Sequence, residues 1–199
     1  MPLNISNTAK NLNFLTHKIT LPSGENVTFR PLKPQDVALL AQFFENLSLK
    51  TREYYVLPSY DVITAKEMCD TINRYRKLRF IIISNSTKKL IALFEFNFDI
   101  PENDIKRFIK YNIQLNTNTD CRMGPCLADD YQNQGVGSMI FPYLLEIARQ
   151  FEQKRMILWG GVFSTNERAI NFYKKCGFKK VGIFNNKDGK KSVDMIIDI

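Results

Sequence analysis

The sequence predicts a mixed α/β domain built around one sheet, and three observations carry that expectation. Short runs with strand character recur along the chain, stretches with apolar residues at helical spacing lie between them, and in the second half the two kinds alternate. At 199 residues, 44% of them hydrophobic and 24% charged, the chain is long enough to bury a real core. No composition break, repeat or low-complexity segment divides it. Residues 1–199 are therefore expected to form a single domain, with a poorly patterned N-terminal extension over 1–18.

The first strand is Val27 to Leu32, alternating, with its end marked by Pro31 and Pro34. From about Gln35 the residues Val37, Leu40, Ala41, Phe44 and Leu47 form one helical stripe. Thr64 and Glu67 have the spacing of a capping box and predict a second helix running to about Tyr75. Leu78 to Ser84, a polar turn over Asn85 to Lys89 and Leu90 to Phe98 read as a hairpin. In its second strand Ala92, Phe94, Phe96 and Phe98 share one face, while Leu93, Glu95, Asn97 and Asp99 share the other, polar face. Residues 99–120 fit either a short helix (Ile105, Phe108, Ile109, Asn112) or a strand (Ile109, Tyr111, Ile113, Leu115), and an ordered connection is all the pattern fixes.

Cys121 to Ala128 reads as a strand with Gly124-Pro125 inside it, and because proline cannot donate to a sheet ladder a bulge or splay is expected there. A helix comes next, with Val136, Ile140, Leu144, Ile147 and Phe151 on one stripe and a distortion expected at Pro142. Met156 to Val162 reads as a strand, Asn166 to Cys176 as a helix, and Phe178 to Phe184 and Ser192 to Ile199 as strands around a turn at Lys187-Asp188-Gly189.

Twenty-eight Lys and Arg against 20 Asp and Glu give a net charge of +8 and a pI near 9.3, a field that attracts anions such as nucleic acid, an acidic partner or a phosphorylated cofactor. The basic residues are spread over Lys66 to Arg79, Lys106 to Lys110 and Lys174 to Lys191 and read as solvated faces of helices and turns. No apolar run approaches the roughly 20 residues that span a bilayer, and Met1 to Lys10 lacks a secretory pattern, so a cytoplasmic location with no membrane partner is expected. Cys69, Cys121, Cys126 and Cys176 are too scattered for a disulfide framework, and with His17 far from all of them no metal site is expected.

Gln132-Asn133-Gln134-Gly135-Val136-Gly137-Ser138 lies between a strand and the long amphipathic helix. A helix start exposes backbone N–H groups and the positive end of the dipole, and Gly135 and Gly137, lacking Cβ, let an anion approach the main chain. A plain tight turn uses the same residues. The pattern lacks the Gly-Lys-Ser/Thr of a nucleotide P-loop and the third glycine of a dinucleotide fold.

What remains, Gln-x-x-Gly-x-Gly, resembles the phosphate turn of the GNAT acetyltransferases, whose backbone amides grip the diphosphate of coenzyme A. Asn166-Glu167-Arg168-Ala169-Ile170-Asn171-Phe172-Tyr173-Lys174-Lys175-Cys176-Gly177-Phe178 is similar to the family's Asn-x-x-Ala-x-x-x-Tyr-x-x-x-Gly-Phe segment, and Val27 to Asp36 to its opening strand and turn. The resemblance covers about residues 27–199. Asn166 is also a good N-cap, with Ser164 and Glu167 as a competing capping box, and Gly177-Phe178 suits a Schellman helix end.

The resemblance implies a mixed, mostly antiparallel sheet with helices on both faces and a splay between the two central strands. It implies acetyl-CoA as co-substrate, no metal, and an N-acetyltransferase reaction in which a primary amine attacks the thioester directly. Cofactor binding falls to Leu127, Ala128, Gln132, Asn133, Gln134, Gly135, Val136, Gly137, Ser138, Asn166 and Tyr173, with Met156 to Val162 across the gap. Tyr173 is implied as the acid that protonates the leaving thiolate. For the base, Glu95 on the polar strand face and a relay through water both stay open. The acceptor, a small amine, a peptide N-terminus or a lysine, would be met by Ser48 to Tyr60 and Asp99 to Asp120, in a monomer or homodimer. Two other readings remain: a non-catalytic acyl-CoA-binding regulatory module, and an RNA- or ribosome-associated protein, the latter lacking an aromatic-rich basic segment, so that nucleic acid is not the expected partner.

Overall fold

The computed structural model describes residues 13–70 and 76–199. Among the described residues the elements in chain order are β1 (His17–Thr20), β2 (Asn26–Pro31), α1 (Val37–Glu45), α2 (Leu49–Tyr54), α3 (Val62–Asp70), β3 (Lys77–Ser84), β4 (Leu90–Asn97), α4 (Glu102–Ile109), β5 (Asp120–Leu127), α5 (Val136–Gln150), β6 (Arg155–Leu158), β7 (Val162–Phe163), α6 (Glu167–Lys175), β8 (Lys179–Asn185) and β9 (Lys191–Asp198). The strand order is β1-β2-β3-β4-β5-β6-β9-β7, with β8 on β9. β5 and β6 run parallel, whereas β1–β2, β2–β3, β6–β9, β7–β9 and β8–β9 are antiparallel. This is the mixed, mostly antiparallel sheet that the resemblance implies.

The chain forms two compact units. One takes the described residues up to Glu95 together with Pro125–Met139, the other Phe96–Gly124 and Ile140–Ile199. In the first, α1 and α3 lay Leu40, Ala41, Phe44, Ala65, Met68 and Cys69 against Ile81, Leu93 and Cys126. Phe29 and Phe80 stack across the β2–β3 pair with centroids 5.2 Å apart. Arg30 closes a fork on Asp36 with two bonds of 2.7 Å, which fixes the turn from β2 into α1.

In the second unit α4 resolves the ambiguity over residues 99–120 in favour of a helix. Phe108 packs with Ile100, Leu115, Ile157 and Ile196. The other side of α4 supplies Arg107, which donates to both carboxylate oxygens of Asp194 at 2.6 and 3.1 Å. Tyr111 adds a bond of 3.1 Å to the same carboxylate, so a charge only 1% exposed is met from three donors.

Several expectations need correction. Met156 to Val162 is not one strand: Gly160 and Gly161 take φ of +70° and +69°, and the turn they make separates β6 from β7. The α3 helix starts at Val62, because Asp61 rather than Thr64 caps it, accepting from Ile63 and Thr64 N–H at 2.9 and 3.3 Å. Its expected run to Tyr75 reaches outside the described residues. Every residue of β4 is buried, so the face bearing Leu93, Glu95 and Asn97 does not look to solvent. Helix α5 continues through Pro142, which leaves the Ser138 carbonyl without its usual helical donor. The strand β1, paired as His17↔Phe29 to Thr20↔Asn26, and the short helix α2 carry no pattern strong enough to read in advance.

Candidate active site

The glycine turn folds as a support for backbone donors. After a 3-10 turn over Asp129–Tyr131, Asn133 and Gly135 take φ of +62° and +77°, and α5 begins at Val136. Met139 N–H donates to the Gly135 carbonyl at 3.0 Å, closing the first helical turn and leaving the preceding amides without a helical acceptor. Val136 is 1% exposed and anchors the turn, while Asn133, Gln134, Gly135 and Ser138 face solvent. A Cβ at Gly135 would stand 3.3 Å from Pro22 Cγ, so the turn is closely backed as well as left-handed. The Gln134 side chain folds back to donate to the Asp130 carbonyl.

Gln132 is placed differently from its neighbours. Its Nε2 donates to the Leu127 carbonyl at 2.9 Å and to Thr51 Oγ1 at 3.0 Å. Thr51 in turn donates to Asp129 Oδ1 at 2.6 Å, and Asp129 also accepts from the Ser48 hydroxyl at 2.5 Å and the Ser48 N–H at 2.8 Å. Burial pushes the Asp129 carboxyl up, but the bonds from Ser48 and Thr51 outweigh it and hold the group below its ordinary value. Ala128 N–H is bonded to the Ile91 carbonyl at 2.8 Å. By strand alternation the N–H of Leu127 points to the side away from β4.

Glu95 is 6% exposed and held at both oxygens: Arg79 Nε lies 2.6 Å from Oε2, and the Tyr55 hydroxyl donates to Oε1 at 2.6 Å. Burial first, and then the Glu95 charge, push the Tyr55 phenol well above its usual range. The Cys126 thiol on β5 is raised by burial and then by Glu95 and Asp129, which marks this corner as acidic and dry. The loop after α2 is stapled by the Tyr60 hydroxyl, 2.9 Å from the Arg52 carbonyl.

In the second unit Asn166 caps α6, its Oδ1 accepting from Ala169 N–H at 3.1 Å; Ser164 takes no part in that cap. The helix ends in a Schellman motif: Gly177, at φ +96°, donates to the Lys174 carbonyl and Phe178 N–H to the Tyr173 carbonyl, each at 3.0 Å. The Phe178 ring then packs against Tyr173 with centroids 5.3 Å apart. Tyr173 is 5% exposed, its hydroxyl has no hydrogen-bond partner among the described residues, and burial raises its phenol far above the ordinary value. The β5–β6 ladder runs from Asp120↔Arg155 to Met123↔Leu158, and its register stops where Gly124-Pro125 removes a donor.

The structure thus brings together Leu127, Ala128 and the turn 132–138 in one unit, with Glu95 on the same unit's β4, and places Asn166 and Tyr173 on α6 of the other. Sequence reasoning missed Tyr55, Arg79, Asp129, Ser48 and Thr51. Only the cap spacing of Ser48 and Thr51 left a local signal, the remaining links spanning 16 to 81 residues.

Residues 107–178 match the acetyltransferase (GNAT) family. The chain superposes on the GNAT domain of S. lividans PAT with a TM-score of 0.71 at 17% identity, covering 94% of this chain and 98% of that one. Aminoglycoside acetyltransferase AAC(6')-Ib in complex with coenzyme A and kanamycin gives 0.66 at 19% identity, covering 86% and 94%. Ribosomal-protein-S5-alanine acetyltransferase from Vibrio fischeri gives 0.68 at 12% identity, covering 86% and 92%. The residues present fit coenzyme A: an exposed turn of backbone donors has no Cβ at Gly135 or Gly137, and the nearby Asp129 charge is already met by Ser48 and Thr51. The chain thus has the fold of the GNAT acetyltransferases, and its segment 107–178 is similar to that family.

Proposed function

We propose that the chain transfers the acetyl group of acetyl-CoA to a primary amine by direct attack, and one observation carries the reading: the exposed, glycine-formed turn of backbone N–H groups ahead of α5. When bound, acetyl-CoA supplies the acyl group and a thiolate leaving group. The amides from Asn133 to Ser138 hold its diphosphate, and the outward Leu127 N–H orients the arm that bears the thioester. Ala128, whose N–H is taken by Ile91, lines the arm without donating to it.

Tyr173 donates to the thiolate. Its buried phenol stays neutral at every physiological pH, and a donor of that kind stabilises developing negative charge in a dry setting. On the acceptor side Glu95 takes the amine's proton through Tyr55: the phenol oxygen accepts a proton as the phenol's own passes to Glu95 Oε1, already 2.6 Å away. Arg79 holds the other carboxylate oxygen and fixes the direction of that bond.

The acceptor is an amine presented near Ser48 to Tyr60. Solved GNAT-fold neighbours include a complex with kanamycin and a spermidine N-acetyltransferase chimera, and amine chemistry is common to both. Incubation with acetyl-CoA and a panel of aminoglycosides, polyamines and peptides, read by a thiol reporter, tests the proposal. Thiol release dependent on one amine class is the expected result; coenzyme A binding without turnover on any amine would favour a regulatory acyl-CoA-binding module.

A further inference from the structure

The first residue of the glycine motif has both of its side-chain donors already engaged within the protein. A glutamine amide has two N–H donors and one acceptor oxygen. Both Gln132 donors are directed into the protein, one to the Leu127 carbonyl and one to Thr51 Oγ1. The Leu127 carbonyl can only accept, so the amide nitrogen must face it. What Gln132 leaves open is an oxygen, and an oxygen acceptor does not bind a diphosphate.

We infer that Gln132, Thr51 and Asp129 form a strut that shapes the phosphate turn, and that Gln132 is a positioning residue rather than a ligand. The inference rests on the acetyl-CoA reading above. The strut runs from the N-terminus of α2 through Ser48 and Asp129 to Thr51, then through Gln132 to the last residue of β5. Immediately after Gln132 the backbone enters φ +62° at Asn133, a left-handed conformation that asparagine adopts more readily than other non-glycine residues. Gln132 fixes where that conformation begins by tying the entry of the turn to β5 on one side and to a buried threonine, 8% exposed, on the other. The amides that follow are aimed before any ligand arrives, and that preorganisation appears as affinity. Thr51 sits on a different element, 81 residues away in sequence, so a strut makes it matter to coenzyme A although it offers the ligand nothing.

The test is a double-mutant cycle on Thr51→Val and Gln132→Ala, read by calorimetric titration of coenzyme A and by steady-state kinetics. Each single variant is expected to weaken coenzyme A about fivefold, the worth of roughly one hydrogen bond, and the double variant to be no weaker than either single. KM for acetyl-CoA rises by the same factor while kcat stays within about twofold, because the reacting groups are untouched. Thr51→Ser, which keeps the hydroxyl, restores wild-type affinity and controls for loss of fold. Normal affinity in Thr51→Val beside a weakened Gln132→Ala, or additive losses in the double variant, overturns the strut and returns Gln132 to the ligand's own contacts. A wild-type chain that binds no coenzyme A is a different outcome, which overturns the acetyl-CoA reading and the strut with it.

Discussion

Arg79 Nε stands 2.6 Å from Glu95 Oε2 in the interior of the first unit, with side chains only 5% and 8% exposed. A buried pair of this kind adds little over an apolar replacement, but removing one partner strands the other charge. Glu95→Ala is therefore expected to destabilise the fold by about 3–5 kcal/mol, measured by denaturant unfolding. Glu95→Gln, which still accepts from Tyr55, should unfold at intermediate denaturant and lose most of its acetyl transfer. Full turnover in a folded Glu95→Gln protein would remove Glu95 from the proton path.

Tyr173→Phe separates chemistry from packing. The hydroxyl has no partner among the described residues, so stability should change by no more than about 0.5 kcal/mol. Acetyl transfer is expected to fall about a hundredfold with the KM for acetyl-CoA unchanged. Because burial raises the phenol, the wild-type rate should show no alkaline loss from this group up to its ordinary value of about 10. Unaltered turnover in the variant would exclude Tyr173 from the reaction.

The phosphate turn predicts a loss of affinity with little loss of rate at saturation. Gly135→Val must hold a β-branched residue at φ +77° with its Cβ 3.3 Å from Pro22, and Gly137→Val adds a β-branched side chain to the first turn of α5. Gly135→Val is expected to weaken coenzyme A at least about tenfold in calorimetric titration, and Gly137→Val to weaken it as well. Unimpaired binding in both would place the diphosphate elsewhere.

Asp129 gives the chain an acid-labile contact. Its folded value lies below the ordinary aspartate value of about 3.9, so its stabilising effect is complete above that value and is lost as pH falls through the lower, folded one. Asp129→Asn should therefore be less stable than wild type at pH 7, and the gap should narrow at about pH 3. Urea midpoints at the two pH values check this; a gap independent of pH would mean that Asp129 contributes shape and not charge.

Features set by neighbours along the chain were legible in advance. The stripe Val136, Ile140, Leu144, Ile147 folds as α5, and Gly177-Phe178 makes the helix end its composition predicts. Where two local patterns competed, as over residues 99–120, the burial of Phe108 among Ile100, Leu115, Ile157 and Ile196 settled on a helix, and no window of sequence contains those partners.

By itself, then, the sequence determined the alternation of elements, the glycine turn and the α6 segment, because each rests on residues within one or two turns of each other. Tertiary structure alone decided that the hydrophilic face of β4 is buried, that Glu95 meets Tyr55 and Arg79, and that Gln132 faces inward to Thr51. Those outcomes depend on which strands and helices are packed side by side, and a hydrogen bond between residues 81 positions apart leaves no periodicity for a reader of the chain to find.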